Sequence, residues 1–580
     1  MKQRLRLWGL ALLLCGTAFF LFYTHRPAVA QEENDPPLPL LVGSVRDRQG
    51  QPVGRATVLL WQGAPGATPE AEAEPLASVT TQPDGRYAIP LPEPLPAGEV
   101  YYLAIERAHF EDARITLDPD MVAQVEEEGS VVLPELVLPR EVNLAFWIAT
   151  LIFAGMLAVV AISDLHNTLV ALLGASLVFA VSYLGHPLSE DLFIFDFDTA
   201  LEYIDWNVIF LVMGMMIVIA VVEETGLFQW LAFAAYRLSR GKAWLLLTVL
   251  MLVAGVASAF LDNVTTMLLM TPISVQIALA LNLNPLTLLV PEVMASNVIG
   301  VSTLVGTPTN ILIGSFASIS FNDFLRNLTP GVLLAFAGLV IYSVYSYRRD
   351  LGTTGEMSPA LLERLEERAQ ITRPGHLRKA GWIGAIMLLL FVFGERIHLL
   401  PSVTALMGAT ALLIWIRPDV EKMIDAVDWT TLVFFMALFI VVGAIQEVGL
   451  ISVIADVIGR LVGDSLVLTM VTVIWVSAVL SAVVANIPFT AAMLPVVGYL
   501  SGIVPGAHSK VLFYCLSVGS AMGGNGTLIG ASANLVTAGI AERAGYPITY
   551  TYFLRKGFPA LVITVALATI WLFIRFLVLA

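Results

Sequence analysis

The chain has 580 residues, of which 57% are hydrophobic and 13% are charged, and its mean hydropathy is +0.80. Soluble domains have roughly 45–50% apolar and about 25% charged residues, so this composition excludes a soluble protein and predicts a polytopic membrane protein. The formal net charge of −15 is concentrated, because residues 31–141 carry 20 acidic and 7 basic side chains, a net of −13. The acidity therefore belongs to one soluble segment, and it does not suggest nucleic-acid binding.

Residues 1–30 combine a basic start with an apolar stretch from Leu7 to Tyr23, followed by Ala28-Val29-Ala30. This pattern is typical of a secretory signal peptide with an A-x-A-type cleavage site, and an uncleaved first membrane helix is the alternative. The apolar stretch is short for a span, which needs about 20 residues. Either interpretation predicts that the following segment is exported.

Residues 38–139 alternate apolar and polar side chains at period two, with turn sequences such as residues 82–85 between the runs. The alternation predicts a small β-sandwich on the extracytoplasmic side of the membrane. Residues 42–58 and 81–87 resemble the carboxypeptidase-regulatory-like, transthyretin-like modules, which implies a structural or adhesive role without a catalytic set. The acidic insert at residues 64–75 is predicted to be a mobile loop.

The remainder of the chain repeats itself at a spacing of 223 or 224 residues. The matching pairs are Asp205-Trp206 and Asp428-Trp429, Glu224 and Glu447, Gly226 and Gly449, Asn263 and Asn486, Pro272 and Pro495, Gly306 and Gly530, and Asn310 and Asn534. Two halves with polar, glycine-interrupted apolar segments at matching places indicate a secondary transporter. We assign residues 143–347 to transporter repeat 1, 348–380 to a cytoplasmic linker and 381–580 to transporter repeat 2.

Each repeat is predicted to contain five spans and one re-entrant hairpin. The spans are 143–163, 168–185, 207–223, 287–320 and 331–347 in repeat 1, and 381–397, 401–416, 429–446, 511–540 and 558–579 in repeat 2. The hairpins are residues 243–281 and 466–500. This count places the basic loops at 237–242 and 348–379 inside and the acidic loop at 190–198 outside, as the positive-inside rule requires.

Because five is odd, the second repeat is predicted to be inverted relative to the first. The predicted fold is a polytopic α-helical protein of two inverted repeats, which spans the plasma (inner) membrane several times.

Four segments are predicted to meet near the bilayer midplane: the hairpin tips at 261–266 and 485–490, and breaks in long spans at 302–310 and 526–534. Irregular backbone at that depth is tolerated only where it faces protein or a wet cavity. Freed carbonyls, amide oxygens and hydroxyls suit Na⁺, whereas helix N-termini favour an anion. Packing of small residues between helices is the alternative, but four segments at matching registers favour a site. The predicted ion- or substrate-binding residues are Asp262, Asn263, Thr265, Thr266, Thr303, Gly306, Thr307, Asn310, Asn486, Thr490, Asn525, Thr527, Gly530, Ser532 and Asn534.

Acidic residues near the spans allow more than one role. Asp262 is predicted to exchange a proton or Na⁺, or to cap a helix at the hairpin tip, and its counterpart in the second repeat is Ala485. Glu224 and Glu447 end spans and are predicted to be interfacial and solvated. Glu292 starts a span and is a lesser candidate for the inner vestibule. The four site segments contain no Lys, Arg or His.

Residues 260–266 and 523–534 are similar to motifs of the ion-transporter superfamily, and the resemblance covers residues 143–580. This superfamily includes citrate and dicarboxylate/sodium symporters, arsenite pump subunits and NhaD-type antiporters, and the chain most resembles the branch that contains the melanosomal P proteins. The resemblance implies a homodimer, elevator-type transport, and sodium between each hairpin tip and the neighbouring break, at Asn263, Gly306, Asn486 and Gly530. The symporters carry a Ser-Asn-Thr triplet at both tips, and this chain does not.

The predicted function is a secondary active ion transporter that exchanges or couples Na⁺, H⁺ or both. A Na⁺-coupled carrier of citrate- or dicarboxylate-like anions and an arsenite or oxyanion permease are the alternatives. A membrane-anchored sensor or adhesion protein is a further alternative, although a membrane anchor would not need polar breaks repeated in both halves. No catalytic motif or cofactor site is recognised in the sequence. The predicted partners are therefore a small ion or anion, the lipid bilayer and a second copy of the chain.

Overall fold

A computed structural model describes residues 39–48, 50–63, 75–91, 95–96, 99–163, 165–352, 370–463 and 465–579. The predictions for residues 1–30, for nearly all of the 64–75 insert and for much of the linker concern residues outside these ranges. The chain divides between Glu141 and Val142 into two compact units, close to the predicted boundary between residues 139 and 143.

Eight strands and one helix lie in the described part of the first unit. They are β1 Leu40–Asp47, β2 Thr57–Gln62, β3 Ala77–Thr80, β4 Arg86–Pro90, β5 Tyr101–Glu106, β6 Ala113–Thr116, α1 Pro119–Glu128, β7 Ser130–Val132 and β8 Leu136–Leu138. One sheet has the order β4-β1-β7, with β8 also paired to β1, and the other has the order β3-β2-β5-β6. Alternate side chains of both sheets, including Val45, Ile89, Val58 and Ile105, form a common apolar core. The period-two alternation thus corresponds to strands with one buried face.

The second unit is helical, and over the residues that the structure describes its two halves have the same order of ten α-helices. The first half contains α2 Leu144–Ile162, α3 Asn167–Ala180, α4 Phe197–Glu202, α5 Trp206–Glu223, α6 Leu227–Ser239, α7 Ala243–Ser258, α8 Asn263–Ala280, α9 Leu286–Gly300, α10 Pro308–Phe316 and α11 Phe321–Ser346. The second half contains α12 Pro374–Phe393, α13 Pro401–Ile416, α14 Val420–Asp425, α15 Trp429–Glu447, α16 Leu450–Val462, α17 Leu466–Ser481, α18 Asn486–Ile503, α19 Val511–Gly523, α20 Ser532–Arg543 and α21 Tyr550–Phe573. Each helix of the first half therefore corresponds to the helix numbered ten higher.

The described residues include nine helices that are long and apolar enough to cross a membrane. The segments predicted as hairpins form the helix pairs α7–α8 and α17–α18, and the two long segments are broken into α9–α10 and α19–α20. Glycine and asparagine interrupt the apolar runs at these places. The protein is a multi-pass membrane protein in which the shorter helices α9 and α19 are buried along their whole length.

The helices pack as two bundles. A six-helix bundle contains α2, α3, α5, α12, α13 and α15, and a ten-helix bundle contains α7–α11 and α17–α21. Within each bundle, corresponding helices of the two halves make reciprocal contacts. In the six-helix bundle α5 contacts α13 and α15 contacts α3, and in the ten-helix bundle α8 contacts α20 and α18 contacts α10. Helices α6 and α16 lie in the chain between the two bundles, one in each half.

Helices α6 and α16 were not predicted as separate elements, because they are amphipathic and no long apolar run marks them. Both follow a glycine with positive φ, Gly226 at +80° and Gly449 at +87°, which lets the chain turn sharply at the end of the preceding span. The helices that contain the predicted spans 331–347 and 558–579 begin earlier than those spans, at Phe321 and Tyr550. Their first turns are polar and capped by Ser320 and Thr549, so the helices extend beyond the apolar runs.

Candidate functional site

The two hairpin tips are built differently. Asp262 caps α8, since its Oδ1 accepts a hydrogen bond from the Thr265 amide at 2.9 Å and its Oδ2 one from the Thr265 hydroxyl at 2.5 Å. The Thr266 hydroxyl donates to the Asp262 carbonyl at 3.0 Å. At the second tip Ala485 offers no side-chain cap to α18. The cap predicted for Asp262 is thus formed in one half only.

In the second tip, Thr490 repeats the bond made by Thr266 in the first. Its hydroxyl donates to the Asn486 carbonyl at 2.7 Å, one helical turn earlier. Thr266 and Thr490 are both fully buried, so each hydroxyl satisfies its own hydrogen by donating to the backbone carbonyl one turn earlier.

The two helix breaks are held by equivalent asparagines. Asn310 Nδ2 donates to the carbonyls of Val301 at 3.0 Å and Thr303 at 2.7 Å. Asn534 Nδ2 donates to the carbonyls of Gly524 at 2.8 Å and Thr527 at 3.0 Å. Both asparagines are fully buried. They therefore satisfy backbone carbonyls that the interrupted helices leave without partners.

Each break is also joined to its own hairpin tip. The Thr303 hydroxyl donates to the Ala259 carbonyl in the first half, and the Thr527 hydroxyl donates to the Ala482 carbonyl in the second. Ala259 and Ala482 are related by the same 223-residue spacing. The two halves thus share this bond between break and hairpin, although their helix caps differ.

Glycines permit close approach of backbone at both breaks. A Cβ on Gly306 would lie 2.3 Å from the Gly300 carbonyl oxygen and 2.8 Å from the Ser258 carbonyl oxygen. A Cβ on Gly530 would lie 2.9 Å from the Gly524 carbonyl oxygen. The absence of a side chain at both glycines therefore lets backbone carbonyl oxygens come close to each break.

A chain of amides, here called the amide cluster, connects the halves. It consists of Asn263, Asn297, Asn525 and Asn534, all at most 4% exposed. Asn297 on α9 accepts from Asn263 Nδ2 at 2.8 Å and donates to the Oδ1 atoms of Asn525 at 2.9 Å and Asn534 at 3.2 Å. The cluster links the first hairpin tip to the second break with neutral groups, whose oxygens can bind a cation and whose N–H groups can bind an anion.

The second half also contains polar groups without partners. The side chains of Asn486 and Ser532 make no hydrogen bond to any described residue, although Asn486 is only 4% exposed. They lie in the first turns of α18 and α20, and neither helix has a side-chain cap. In the first half, by contrast, Asp262 caps α8, and the Thr307 hydroxyl caps α10 by accepting from the Asn310 amide at 3.3 Å.

Asn297 and Ser517 bond to predicted site residues but are not among those that the sequence predicts. Ser517 donates to Asn310 Oδ1 at 2.6 Å, across the two halves. Neither residue follows the repeat, because the counterpart of Asn297 is Ala521 and that of Ser517 is Val293. Both lie in apolar helical runs, so the repeat pattern could not identify them.

Three glutamates differ from expectation. Glu447 is 6% exposed and accepts a hydrogen bond from the Tyr203 hydroxyl at 2.6 Å, so the prediction that it is solvated is wrong. Glu224 is only partly solvated, because Arg373 and Lys422 each approach its carboxylate at 2.6 Å. Glu292 is fully buried and faces Ser274 on α8, rather than an open vestibule.

Two cavities lie between the bundles, near the start of α5. One of about 380 Å³ is lined by residues of α5, α10 and the α12–α13 turn, and one of about 480 Å³ by residues of α5, α10, α15 and α18. Asn207 lines both, and none of the predicted site residues lines either. The amide cluster is therefore closed off from them in this conformation.

Comparison with known proteins relates the chain to membrane transporters. The citrate transporter family matches residues 145–504, more than half of the chain. The uncharacterized transporter Rv2684 of Mycobacterium tuberculosis is 37% identical over 433 residues, which cover 74% of this chain and 99% of that protein. The P protein of Homo sapiens is 32% identical over 509 residues, which cover 74% of this chain and 60% of that protein.

Among solved structures, MtrF of Neisseria gonorrhoeae, which belongs to a class of antimetabolite efflux pumps, is similar with a TM-score of 0.50. The match covers 75% of this chain and 96% of MtrF at 12% identity, so the similarity is one of fold.

Proposed function

The chain belongs to the citrate transporter family, and on that premise we propose that it is a secondary active carrier that couples Na⁺, H⁺ or both to transport at the amide cluster and the two breaks. The observation that carries the proposal is the amide cluster itself, in which Asn297 joins the first hairpin tip to the second break. Buried polar groups at membrane depth are costly, and they mark ion or substrate sites when they converge from several helices.

The first half suits the cation. Asp262 supplies a carboxylate beside Asn263, and Gly306 admits two backbone carbonyl oxygens to close range. Hard oxygen ligands of this kind suit Na⁺. We propose Na⁺ near Asn263 and Gly306, and a second, equivalent position near Asn486 and Gly530.

The second half suits a small anion. The N-termini of α18 and α20 carry partial positive charge without a side-chain cap, and the free side chains of Asn486 and Ser532 can donate hydrogen bonds beside them. The four site segments contain no Lys or Arg, so an anion would depend on these dipoles and on a co-bound cation. Carboxylates of the citrate class are the substrates to test first.

Exchange of Na⁺ for H⁺ without an anion is the second candidate. The observation that favours it is Asp262, a carboxylate at the tip that only the first half carries. Arsenite or another oxyanion stays a lesser alternative, since it would use the same N-termini as a carboxylate.

The two-bundle architecture suits an elevator mechanism, in which the ten-helix bundle carries the site past the six-helix bundle. Helices α6 and α16 would be the connecting arms, and the cavities between the bundles would open a route on one side. We further propose that the repeats are inverted, that the carrier is a homodimer in the plasma membrane, and that the first unit is an extracytoplasmic β-sandwich of the transthyretin-like kind without enzymatic activity.

Reconstituted protein in liposomes with a pH-sensitive dye and an imposed Na⁺ gradient tests the proposal. Uptake of labelled citrate driven by the Na⁺ or H⁺ gradient would support coupled anion transport. Proton movement without citrate, lost in Asp262→Asn, would support the exchanger instead. Absence of gradient-driven movement of Na⁺, H⁺, citrate and arsenite would refute the carrier.

A further inference from the structure

Helix α9 contains a carboxyl group outside the amide cluster. Glu292 is 0% exposed, and the Ser274 hydroxyl oxygen lies 2.8 Å from each of its two carboxyl oxygens. A serine hydroxyl has one hydrogen, which it can share between both oxygens or donate to one of them. In the second arrangement a protonated glutamate donates its own hydrogen back to the serine oxygen. The geometry therefore accommodates a neutral carboxylic acid that exchanges two hydrogen bonds with one hydroxyl.

No described cation contacts this carboxyl. Helices α7, α8, α11, α19, α20 and α21 pack against α9, and α7 and α8 contain no titratable residue within their bounds. The titratable residues at or on these helices are Lys242 at the start of α7, Asp262 at the α8 cap, Asp323, Arg326, Tyr342 and Tyr345 on α11 with Tyr347 at its end, Lys510 at the start of α19 with Tyr514 and Cys515 on it, Glu542 and Arg543 on α20, and Tyr550, Tyr552, Arg555 and Lys556 on α21. None of them makes a hydrogen bond or ion pair with Glu292.

An ionised carboxylate in such surroundings is strongly disfavoured, because burial removes its hydration and no counter-ion replaces that interaction. The group therefore holds a proton unless a cation arrives nearby. Two carboxyls of the first half thus differ in role, since Asp262 is half-buried and already accepts two hydrogen bonds as a helix cap.

The position of the acid links it to the transport site. Glu292 precedes Asn297 by five residues on α9, roughly 7.5 Å along the helix axis. Ser274 lies on α8, the helix that begins at Asn263. The two helices that form the acid–hydroxyl pair thus both carry members of the amide cluster, which α20 joins through Asn534. The second half has Leu516 or Cys515 at the position of Glu292, and Val497 at that of Ser274.

We propose that Glu292 is the proton-binding site of the carrier, a role that rests on the proposed function and names its coupling group. In the state described here it holds the proton as the neutral acid. When Na⁺ enters the amide cluster, the O–H bond of the acid breaks, the proton passes to water, and the bound cation balances the carboxylate charge. When Na⁺ leaves, the carboxylate takes a proton from water again.

The test compares the wild type with Glu292→Gln and with Glu542→Gln as the matched control. The glutamine side chain introduced by Glu292→Gln has the same shape and can exchange the same two hydrogen bonds with Ser274, so the fold is expected to persist. Glu542 is exposed on α20, in the same bundle. Infrared spectra at neutral pH should contain the carbonyl band of a protonated carboxyl, which is lost in Glu292→Gln and kept in Glu542→Gln. Ser274→Ala should move that band to higher frequency, because the carbonyl loses its hydrogen bond.

Liposomes loaded with a pH-sensitive dye supply the functional readout. Glu292→Gln should lose Na⁺-driven proton movement and keep exchange of labelled Na⁺ for Na⁺ across the membrane, whereas Glu542→Gln should keep both. An unchanged carboxyl band in Glu292→Gln, or unchanged proton movement, would overturn the proposal. A wild type that moves neither ion would overturn the proposed function and this role with it, and the presence of the band would distinguish that failure from a wrongly assigned acid.

Discussion

Gly306→Ala should damage both stability and transport, because the first break leaves no room for a side chain. The new Cβ would lie 2.3 Å from the Gly300 carbonyl oxygen and 2.8 Å from that of Ser258, and both contacts are backbone atoms that cannot rotate away. Overpacking of this kind costs about 1–3 kcal/mol. We therefore expect a lower thermal unfolding midpoint in detergent and a loss of gradient-driven uptake in liposomes.

Alanine substitution at two other glycines provides variants with which Gly306→Ala can be compared. At Gly530 the closest contact of the new Cβ is 2.9 Å, again with a backbone oxygen, so the effect should be smaller. At Gly539 on α20 no atom lies within 4 Å, and this variant should match the wild type. The expected order of damage is Gly306→Ala, then Gly530→Ala, then Gly539→Ala. A Gly306→Ala protein that is as stable and as active as Gly539→Ala would refute the close-packed break.

Three further predictions concern polar contacts. Asn297→Ala removes three amide hydrogen bonds. At about 0.6 kcal/mol for each bond in a membrane protein, we expect a destabilisation of about 2 kcal/mol together with loss of uptake. An unaltered unfolding midpoint would argue against the amide cluster. Ser517→Ala should reduce uptake less than Asn297→Ala does, because Asn310 keeps both hydrogen bonds to the carbonyls of its own break. An equal loss of uptake in the two variants would contradict this ranking. The hydrogen bond from Lys422 holds the pKa of the Glu224 carboxyl below its usual range, so the stability it supplies is present above the ordinary carboxyl pKa and is lost as the pH falls through the lowered value. Glu224→Gln should flatten that acid limb in unfolding measurements across pH, and an identical pH profile would count against the ion pair.

Much of the site could be predicted from sequence because the repeat and the interruptions mark it. Asn310 and Asn534 were predicted from their matching positions, and the structure gives them the same role at the two breaks. Asn297 could not be found in this way. It sits in an apolar helix, its counterpart is an alanine, and two of its three partners, Asn525 and Asn534, come from the other half of the chain. Contacts across more than 200 residues depend on packing that no local pattern records.

The acidic residues show the same limit. Sequence allows two compatible roles for Asp262, and the bonds from Thr265 show the helix cap, while the exchange of a proton or Na⁺ stays a prediction. Glu447 was expected to be solvated because it ends a span, but the α4–α5 region of the other half supplies Tyr203 as its partner. The amphipathic helices α6 and α16 were missed because a search for long apolar runs does not detect a helix with only one apolar face.

The most direct test of the account is gradient-driven uptake by the double variant Asn263→Ala, Asn486→Ala in liposomes, compared with the wild type and with Gly539→Ala. Both asparagines begin the second helix of a hairpin, and one is bonded within the amide cluster while the other is free. We predict that the double variant inserts and purifies as the wild type does but moves neither Na⁺, H⁺ nor citrate. Uptake at the wild-type rate would contradict the location of the site at the hairpin tips.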